Sequence, residues 1–183
     1  MIVGIDEVGR GAWAGPLVVG AVLLGGAEIQ GLTDSKLLAK KRREELDLEI
    51  RRAATAIGLG WVSAPHLDKI GLTAALKLAS RRALAHIRHD YHEIVIDGTI
   101  AFIDDPRVTL MKKADLLVPS VSAASIVAKV ARDNYMKHLG QIFPHYKFGS
   151  HVGYGTAAHR DAVHIHGLTP LHRRSWASSE VFE

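Results

Sequence analysis

Ile2-Val-Gly-Ile-Asp6-Glu7-Val-Gly9-Arg10-Gly11 is the stretch that decides the fold and carries the first chemical signal. Its apolar residues Ile2 to Ile5 predict a short buried strand, and the glycines that follow predict a tight turn. The strand therefore delivers two adjacent carboxylates beside backbone that a ligand can approach closely. Such charges repel each other unless a cation neutralises them. Taken alone, an acidic pair in a surface turn is the more ordinary interpretation, so the rest of the chain decides.

Size and composition bound the class of protein. The 183 residues have the apolar content of one domain with a full core, and they show no internal repeat or linker. The absence of cysteine excludes disulfides and cysteine-ligated zinc. No apolar run is long enough to cross a bilayer, and no leader precedes the first strand, so we expect a cytoplasmic protein. The net charge of +4 permits a nucleic-acid partner without demonstrating one.

Strand and helix patterns alternate along the chain after two consecutive strands. Apolar runs predict strands over residues 2–5, 17–24, 56–63, 93–97 and 108–112. Helical spacing predicts helices over residues 40–54, 65–89 with a break near Gly71, 120–139 and 156–166, with another near the C-terminus. This order predicts an α/β fold, in which a mixed sheet carries helices on both faces.

Four carboxylates lie at or just beyond predicted strand ends: Asp6, Glu7, Asp97 and Asp115. Ligands bind at strand ends in α/β sheets, so side chains distant in sequence can converge there. Two divalent cations would neutralise four carboxylates, and oxygen ligands favour Mg²⁺ or Mn²⁺. Paired metals suit the attack of water on a phosphodiester. Ordinary turn chemistry competes as the explanation of Asp97-Gly98, and it suffices for Asp104 and Asp105.

The long predicted helix carries a polar stripe, spaced by three, four and three residues: Ser122, Ser125, Lys129 and Arg132. On the pattern alone, an exposed solvent face is the favoured interpretation. Two small hydroxyls leading to a lysine and an arginine also suit a groove that holds phosphates.

Histidines concentrate near the C-terminus: His159, His164, His166 and His172. They raise the question of zinc, but no cysteine accompanies them and carboxylates already account for the metal chemistry. We therefore expect His159 and His172 to be structural or adjacent to substrate.

Seven sequence blocks, in a fixed order, span almost the whole chain: Asp6-Glu7-Val-Gly9-Arg10-Gly11, Thr33-Asp34-Ser35-Lys36, Ile96-Asp97-Gly98, Lys113-Ala-Asp115, Ser122-Ala-Ala-Ser125-Ile-Val-Ala-Lys129-Val-Ala-Arg132-Asp133, Gly153-Tyr154-Gly155-Thr156 and His172-Arg173-Arg174-Ser175. Each block is weak by itself, but the ordered set is specific. It resembles ribonuclease HII, the type 2 ribonuclease H family.

The resemblance implies a ribonuclease H-like fold, with a mixed five-stranded sheet flanked by helices. It implies one catalytic domain over residues 1–183, in which about 140–183 form a helical part that contacts substrate. It further implies hydrolysis that depends on Mg²⁺ or Mn²⁺, with two ions per site. The implied substrates are RNA–DNA hybrids and duplex DNA with embedded ribonucleotides, cut on the 5′ side of a ribonucleotide to leave 3′-hydroxyl and 5′-phosphate ends.

The resemblance also assigns roles to residues. The four metal-binding acids are Asp6, Glu7, Asp97 and Asp115, and the ribose 2′-hydroxyl sensor is Gly9-Arg10-Gly11. Tyr154 matches the tyrosine that stacks beneath the sugar at the RNA–DNA junction. Further substrate contacts are expected at Lys36, Ser122, Ser125 and Lys129. A close backbone and an aromatic plate suit this task, because a 2′-hydroxyl is what distinguishes RNA from DNA at one nucleotide.

Comparison within the family adds detail. Arg10 argues against ribonuclease HIII, which usually has lysine there and an additional N-terminal domain. Val152 stands where many bacterial members have a lysine, so a phosphate contact is missing or comes from a residue such as Lys147. No clamp-binding motif follows Trp176, and a monomer suits the family.

Two other functions stay open on the sequence. A less selective metal nuclease or resolvase would share the four acids but would not need Gly-Arg-Gly with Tyr154. A nucleic-acid-binding module without catalysis is the non-enzymatic alternative, although the presence of all four acids argues against it.

Overall fold

A five-stranded mixed sheet organises the protein, whose computed structural model describes residues 1–176. The strands are β1 (Ile2–Val8), β2 (Leu17–Leu23), β3 (Ala56–Val62), β4 (Glu93–Asp97) and β5 (Val108–Met111). Their order across the sheet is β3-β2-β1-β4-β5. Strand β2 is antiparallel to both of its neighbours, β1 and β3, whereas β4 runs parallel to β1 and β5 parallel to β4. The predicted mixed sheet of five strands is confirmed.

Helices lie on both faces of the sheet. They are α1 (Lys40–Ala53), α2 (Ala64–Ile70), α3 (Leu72–Leu84), α4 (Ala114–Leu117), α5 (Pro119–Ile142), α6 (Phe148–His151) and α7 (Ala157–His166), with 3₁₀ turns at Pro144–Tyr146 and Arg174–Trp176. The predicted break at Gly71 separates α2 from α3, and Gly71 has the positive φ of 78° that favours glycine. Within residues 1–176, every helix is too short or too polar to span a membrane.

Strand β1 is longer than predicted. It continues to Val8 because the antiparallel ladder with β2 persists to the pair Val8 and Val18. Asp6 and Glu7 therefore lie among the last hydrogen-bonded residues of the strand rather than in the loop beyond it. A strand position fixes the direction of each carboxylate more tightly than a loop position would.

Glycines in β1 and β2 set how closely α5 lies on the sheet. A Cβ atom added to Gly4 would stand 2.1 Å from the carbonyl carbon of Ser120, and one added to Gly20 would stand 2.6 Å from the carbonyl oxygen of Ala124. The helix backbone thus touches the strands directly. The opposite face, which carries Val3 and Ile5, packs against the apolar residues of α2 and α3.

The C-terminal segment is attached to the loop between β1 and β2. Ala14 forms a bridge with His172, the N–H of Gly15 donates to the carbonyl of Leu171, and that of Arg173 donates to the carbonyl of Trp13. The loop after β1 and the segment around residues 171–173 therefore meet. The predicted substrate-contacting role of about 140–183 stays a prediction, and residues 177–183 lie outside the described part.

Candidate active site

Asp6 and Asp97 are neighbours on one face of the sheet. β1 and β4 are parallel with Gly4 beside Val95 and Ile5 beside Ile96, so the next position places Asp6 beside Asp97. Val95 packs with the α5 residue Val121, and alternation along the strand puts Asp97 on the same side. One carboxylate oxygen of Asp97 accepts a hydrogen bond from the N–H of Ala114 at 2.8 Å. This bond ties the end of β4 to the start of α4, which carries Asp115.

The four predicted acids are coupled electrostatically. Burial raises the pKa of Asp6 to about 7, and the charges of Glu7 and Asp97 add to the rise. Burial also raises the pKa of Glu7, against the opposing charge of Arg10, whose guanidinium lies 3.5 Å from the Glu7 carboxylate. The pKa of Asp115 is raised first by burial and then by Asp97. Asp97 is thus the acid whose charge reaches the other three.

Lys36 supplies positive charge beside these acids. Burial acts to lower its pKa, but the surrounding carboxylates together raise it, first Asp34 and then Asp6, Asp115 and Glu7. Its loop is fixed on both sides, because the hydroxyl of Ser125 on α5 donates to that of Ser35 at 2.9 Å and Arg43 of α1 donates to the Ser35 carbonyl at 2.8 Å.

A cavity of about 280 Å³ opens beside the acids. It is lined by Asp6, Glu7, Val8, Ser35, Lys36, Ser125, Lys129 and Tyr154. The structure therefore brings six of the residues singled out from sequence to one cavity: Asp6, Glu7, Lys36, Ser125, Lys129 and Tyr154. Asp97 and Asp115 join this group through the charge coupling described above.

The stripe on α5 is not the exposed solvent face that its pattern favoured. Ser122, Ser125 and Arg132 are buried, because Gly4 and Gly20 let this helix settle onto the sheet. Ser122 donates its hydroxyl to the carbonyl oxygen of Asp115 at 2.7 Å. Lys129 lines the cavity and also pairs with Asp133 at 2.8 Å.

Two fully buried arginines hold the loop that contains Gly9, Arg10 and Gly11. Arg132 donates to the carbonyl oxygens of Pro16, Val152 and Ala14 at 2.9, 2.8 and 3.1 Å. Arg173 donates to those of Gly15 and Arg10. Sequence reasoning assigned neither residue this task, because an arginine that binds carbonyls across the fold has no distinguishing spacing. Burial lowers the pKa of Arg173 to about 10, and the charge of Arg132 adds to this effect.

The two glycines of the predicted 2′-hydroxyl sensor differ in their surroundings. Gly9 has a φ of 83°, and a Cβ there would meet Arg132 at 2.3 Å and the carbonyl oxygen of Pro16 at 2.7 Å. Gly9 is therefore required by the fold. Around Gly11, no atom of residues 1–176 other than its chain neighbours comes within 4 Å of an added Cβ. The fold itself gives no steric reason for glycine at this position.

Tyr154 sits in a turn whose backbone is fixed on every side. Its N–H donates to the carbonyl of His151, and the Gly153 carbonyl accepts from the N–H groups of Trp13 and Ala14. The guanidinium of Arg132 lies 5.5 Å from the centre of the tyrosine ring, within cation–π range. Val152 has a φ of 45°, which is unusual for a β-branched residue, and its carbonyl is one of the three that accept from Arg132.

The acids fit a divalent cation by their chemistry. Within the described part of the chain, no three His, Asp or Glu side chains surround a common point as they stand. The donors are nevertheless all carboxylates, and burial, together with repulsion between neighbouring acids, raises the pKa values of Asp6, Glu7 and Asp115. A hard cation among them would relieve that repulsion, which is the behaviour expected of ligands for Mg²⁺ or Mn²⁺.

A mixed β3-β2-β1-β4-β5 sheet with acids at the ends of its central strands defines a ribonuclease H-like fold. Residues 3–179 match the family Ribonuclease HII. A ribonuclease HII of Paracidovorax citrulli is 43% identical over 97% of this chain and 74% of its own length. The chain belongs to the ribonuclease HII family, which comprises endoribonucleases that cleave the RNA of RNA–DNA hybrids.

Solved structures agree with this assignment. Ribonuclease HII of Archaeoglobus fulgidus, solved in a complex with PCNA, superposes with a TM-score of 0.80 at 29% identity, covering 97% of this chain and 96% of that chain. Bst-RNase HIII in complex with Mn²⁺ shares the fold, with a TM-score of 0.78 at 21% identity over 99% of this chain and 68% of that one.

Proposed function

We propose that this protein cuts the RNA strand of RNA–DNA hybrids and also cuts duplex DNA on the 5′ side of embedded ribonucleotides, leaving 3′-hydroxyl and 5′-phosphate ends. The observation that carries the proposal is the shared cavity, which is lined by Asp6 and Glu7 together with Tyr154. Phosphodiester chemistry and recognition of a single sugar require these two kinds of group within one nucleotide of each other. This activity is the incision step that removal of ribonucleotides from DNA needs.

Asp6, Glu7, Asp97 and Asp115 are the residues that would hold two Mg²⁺ or Mn²⁺ ions. Support comes from their carboxylate chemistry, their coupled charges and the Mn²⁺ complex of Bst-RNase HIII, which has the same fold. Such ions would supply Lewis-acid activation of water and neutralisation of the leaving oxygen. Asp97 orients the acid set, since it links β4 to α4 through the N–H of Ala114.

The residues of this chain position the substrate. Gly11 offers backbone that a sugar can approach without meeting a side chain, and Arg10 lies beside it. We propose that Gly9, Arg10 and Gly11 read the 2′-hydroxyl while Tyr154 supports the sugar ring.

Phosphate contacts would come from the other polar groups around the cavity. Lys36, Ser125 and Lys129 face the cavity and can contact phosphates. Ser122 would act on the substrate through Asp115, because its hydroxyl already holds the carbonyl of that residue.

One assay tests the proposal. Three duplexes are compared in Mg²⁺ and in Mn²⁺: DNA with a single ribonucleotide, an RNA–DNA hybrid and plain DNA. We expect cutting of the first two and none of the third. Asp6→Asn should abolish cutting, whereas the matched control Asp104→Asn, at an exposed loop position, should cut normally.

Each contrary result has a definite meaning. Equal cutting of plain DNA would favour a less selective nuclease, and tight hybrid binding without turnover would favour a binding module. Full activity of Asp6→Asn would overturn the metal-ligand assignment.

Several predictions from sequence stay predictions. They include a monomeric state and a cytoplasmic location, and clamp recruitment is not inferred from the sequence. The stretch where a clamp motif would follow Trp176 lies outside the described residues, and the PCNA complex is a property of the Archaeoglobus protein.

A further inference from the structure

A chain of hydrogen bonds between two buried histidines ends on the backbone of Tyr154. The Nε2 atoms of His159 and His172 lie 3.1 Å apart. On one side, the Nδ1 atom of His172 lies 2.9 Å from the backbone nitrogen of Thr169. On the other side, the Nδ1 atom of His159 lies 3.0 Å from the carbonyl oxygen of Tyr154. The proposed chemistry uses neither imidazole.

The outer partners determine where the protons lie. A backbone N–H can only donate and a carbonyl can only accept. The Nδ1 atom of His172 is therefore an acceptor, and its proton is on Nε2, from which it donates to His159. The proton of His159 is then on Nδ1, from which it donates to Tyr154. The pattern is consistent only when both rings are neutral.

The surroundings keep both rings neutral. Both side chains are buried, and the ring of His151 stacks on that of His159 with 4.5 Å between centres. His151 is itself held in one tautomer, since it meets the carbonyl of Tyr146 through Nε2 and accepts from the N–H of Gly153 through Nδ1. Burial lowers the pKa of His159 and His172 to about 4.

The bond from His159 completes the fixation of the Gly-Tyr-Gly turn. The carbonyl of residue 151 accepts from the N–H of Tyr154, and that of residue 152 accepts from Arg132. The carbonyl of residue 153 accepts from the N–H groups of Trp13 and Ala14. The carbonyl of Tyr154 accepts from Thr156 and from His159. On the other side, a Cβ at Gly155 would stand 2.2 Å from the ring of Trp13. The peptide bond after Tyr154 therefore lies between the indole of Trp13 and the imidazole of His159.

We infer that the pair His172 and His159 is a positioning device, which fixes the peptide of Tyr154 and so the direction in which its ring enters the cavity. Neither histidine touches the reacting atoms, so both act through Tyr154. The inference rests on the proposed function, because it assigns a role to the residue that would support the ribose.

The hydrogen-bond chain is tested without activity. Ring-nitrogen chemical shifts of isotope-labelled histidine distinguish the two neutral tautomers and the cation. Near neutral pH we expect His159 protonated on Nδ1, the less common tautomer, and His172 protonated on Nε2. A cationic ring at either position, or a proton on Nε2 of His159, would overturn the inference even if the enzyme is active.

The positioning role is tested by kinetics on the single-ribonucleotide duplex, at a temperature where every variant is folded. His159→Leu removes the donor to Tyr154, whereas His159→Asn keeps an N–H near the Nδ1 position. We expect kcat/KM to fall about ten-fold or more in His159→Leu and less than about three-fold in His159→Asn. His164→Asn, an exposed change on the same helix, should have no effect.

A double-mutant cycle separates positioning from general stability. If His159 acts through Tyr154, His159→Leu should change kcat/KM less than about two-fold in a Tyr154→Ala background. Full additivity, or equal losses in the Leu and Asn variants, would refute the role. If the unmodified protein cuts no ribonucleotide substrate, the proposed function fails, and the tautomers still decide the hydrogen-bond chain.

Discussion

Acidification should destabilise this protein through the buried pair His159 and His172. Burial holds the pKa of each imidazole at about 4, below the ordinary value of 6.5. Because the folded pKa is the lower one, the unfolded chain takes up protons first as the pH falls. The stability contributed by the neutral pair is therefore fully present above about pH 6.5, and it is lost progressively towards about pH 4.

The magnitude follows from the two pKa values. Between about pH 7 and pH 5, one such histidine costs about 2 kcal/mol of unfolding free energy, and two cost about 4 kcal/mol if they titrate independently. Asp6 works in the opposite direction, because burial raises its pKa to about 7. Its folded form takes up a proton in the same range, which contributes about 2 kcal/mol of added stability. The histidine contribution must therefore be measured as a difference between variants.

Urea unfolding in metal-free buffer at several pH values makes this measurement. The variant His159→Asn/His172→Gln removes both imidazoles, so its free energy of unfolding should fall by about 4 kcal/mol less between about pH 7 and pH 5 than that of the unmodified protein. His164→Asn should follow the unmodified protein, since its side chain is exposed. Equal pH dependence in the double variant and the unmodified protein would refute the reasoning.

Two further changes test the structural groups around the site. Gly4→Ala should cost about 2–4 kcal/mol in urea unfolding, since its Cβ would stand 2.1 Å from the Ser120 carbonyl carbon. Gly11→Ala should stay within about 0.5 kcal/mol of the unmodified protein but slow cleavage at a single ribonucleotide about ten-fold or more, and a stable, fully active variant would contradict the sensor assignment. Arg173→Met should cost about 2–4 kcal/mol, because the carbonyls of Arg10 and Gly15 lose their guanidinium donors, and a calorimetric loss below about 1 kcal/mol would argue against the clamp.

Local patterns predicted the sheet well. All five strands were found from apolar runs. The signal is clearest for β2, which is buried at every position, because a strand buried on both faces needs several consecutive apolar residues. The end of β1 was wrong by three residues, from Ile5 to Val8. Residues 6–8 belong to β1 because they pair with β2, and the sequence of β1 alone does not show which strand pairs with it.

Candidate site residues were predictable from sequence where the residue type itself indicates a chemical role. Carboxylates at strand ends pointed to the cavity, and Tyr154 was found through the family resemblance. The buried face of α5 was not predictable from its own spacing, because the cause lies in Gly4 and Gly20 on other elements. The same holds for Arg132, whose partners are carbonyls with no sequence signature.

The proposed site therefore depends on contacts between the loop after β1 and the C-terminal part of the chain. Asp6 and Glu7 come from β1, whereas Tyr154 comes from the turn that follows α6. The N–H groups of Trp13 and Ala14, in the loop after β1, donate to the carbonyl of Gly153 and so connect the two parts. Arg132 and Arg173 strengthen these contacts by donating to carbonyl oxygens, which carry no formal charge. Under the proposed function, a polyanion that enters the cavity would meet the positive charges of Lys36 and Lys129 and the acids at the strand ends, so charge would help to orient it.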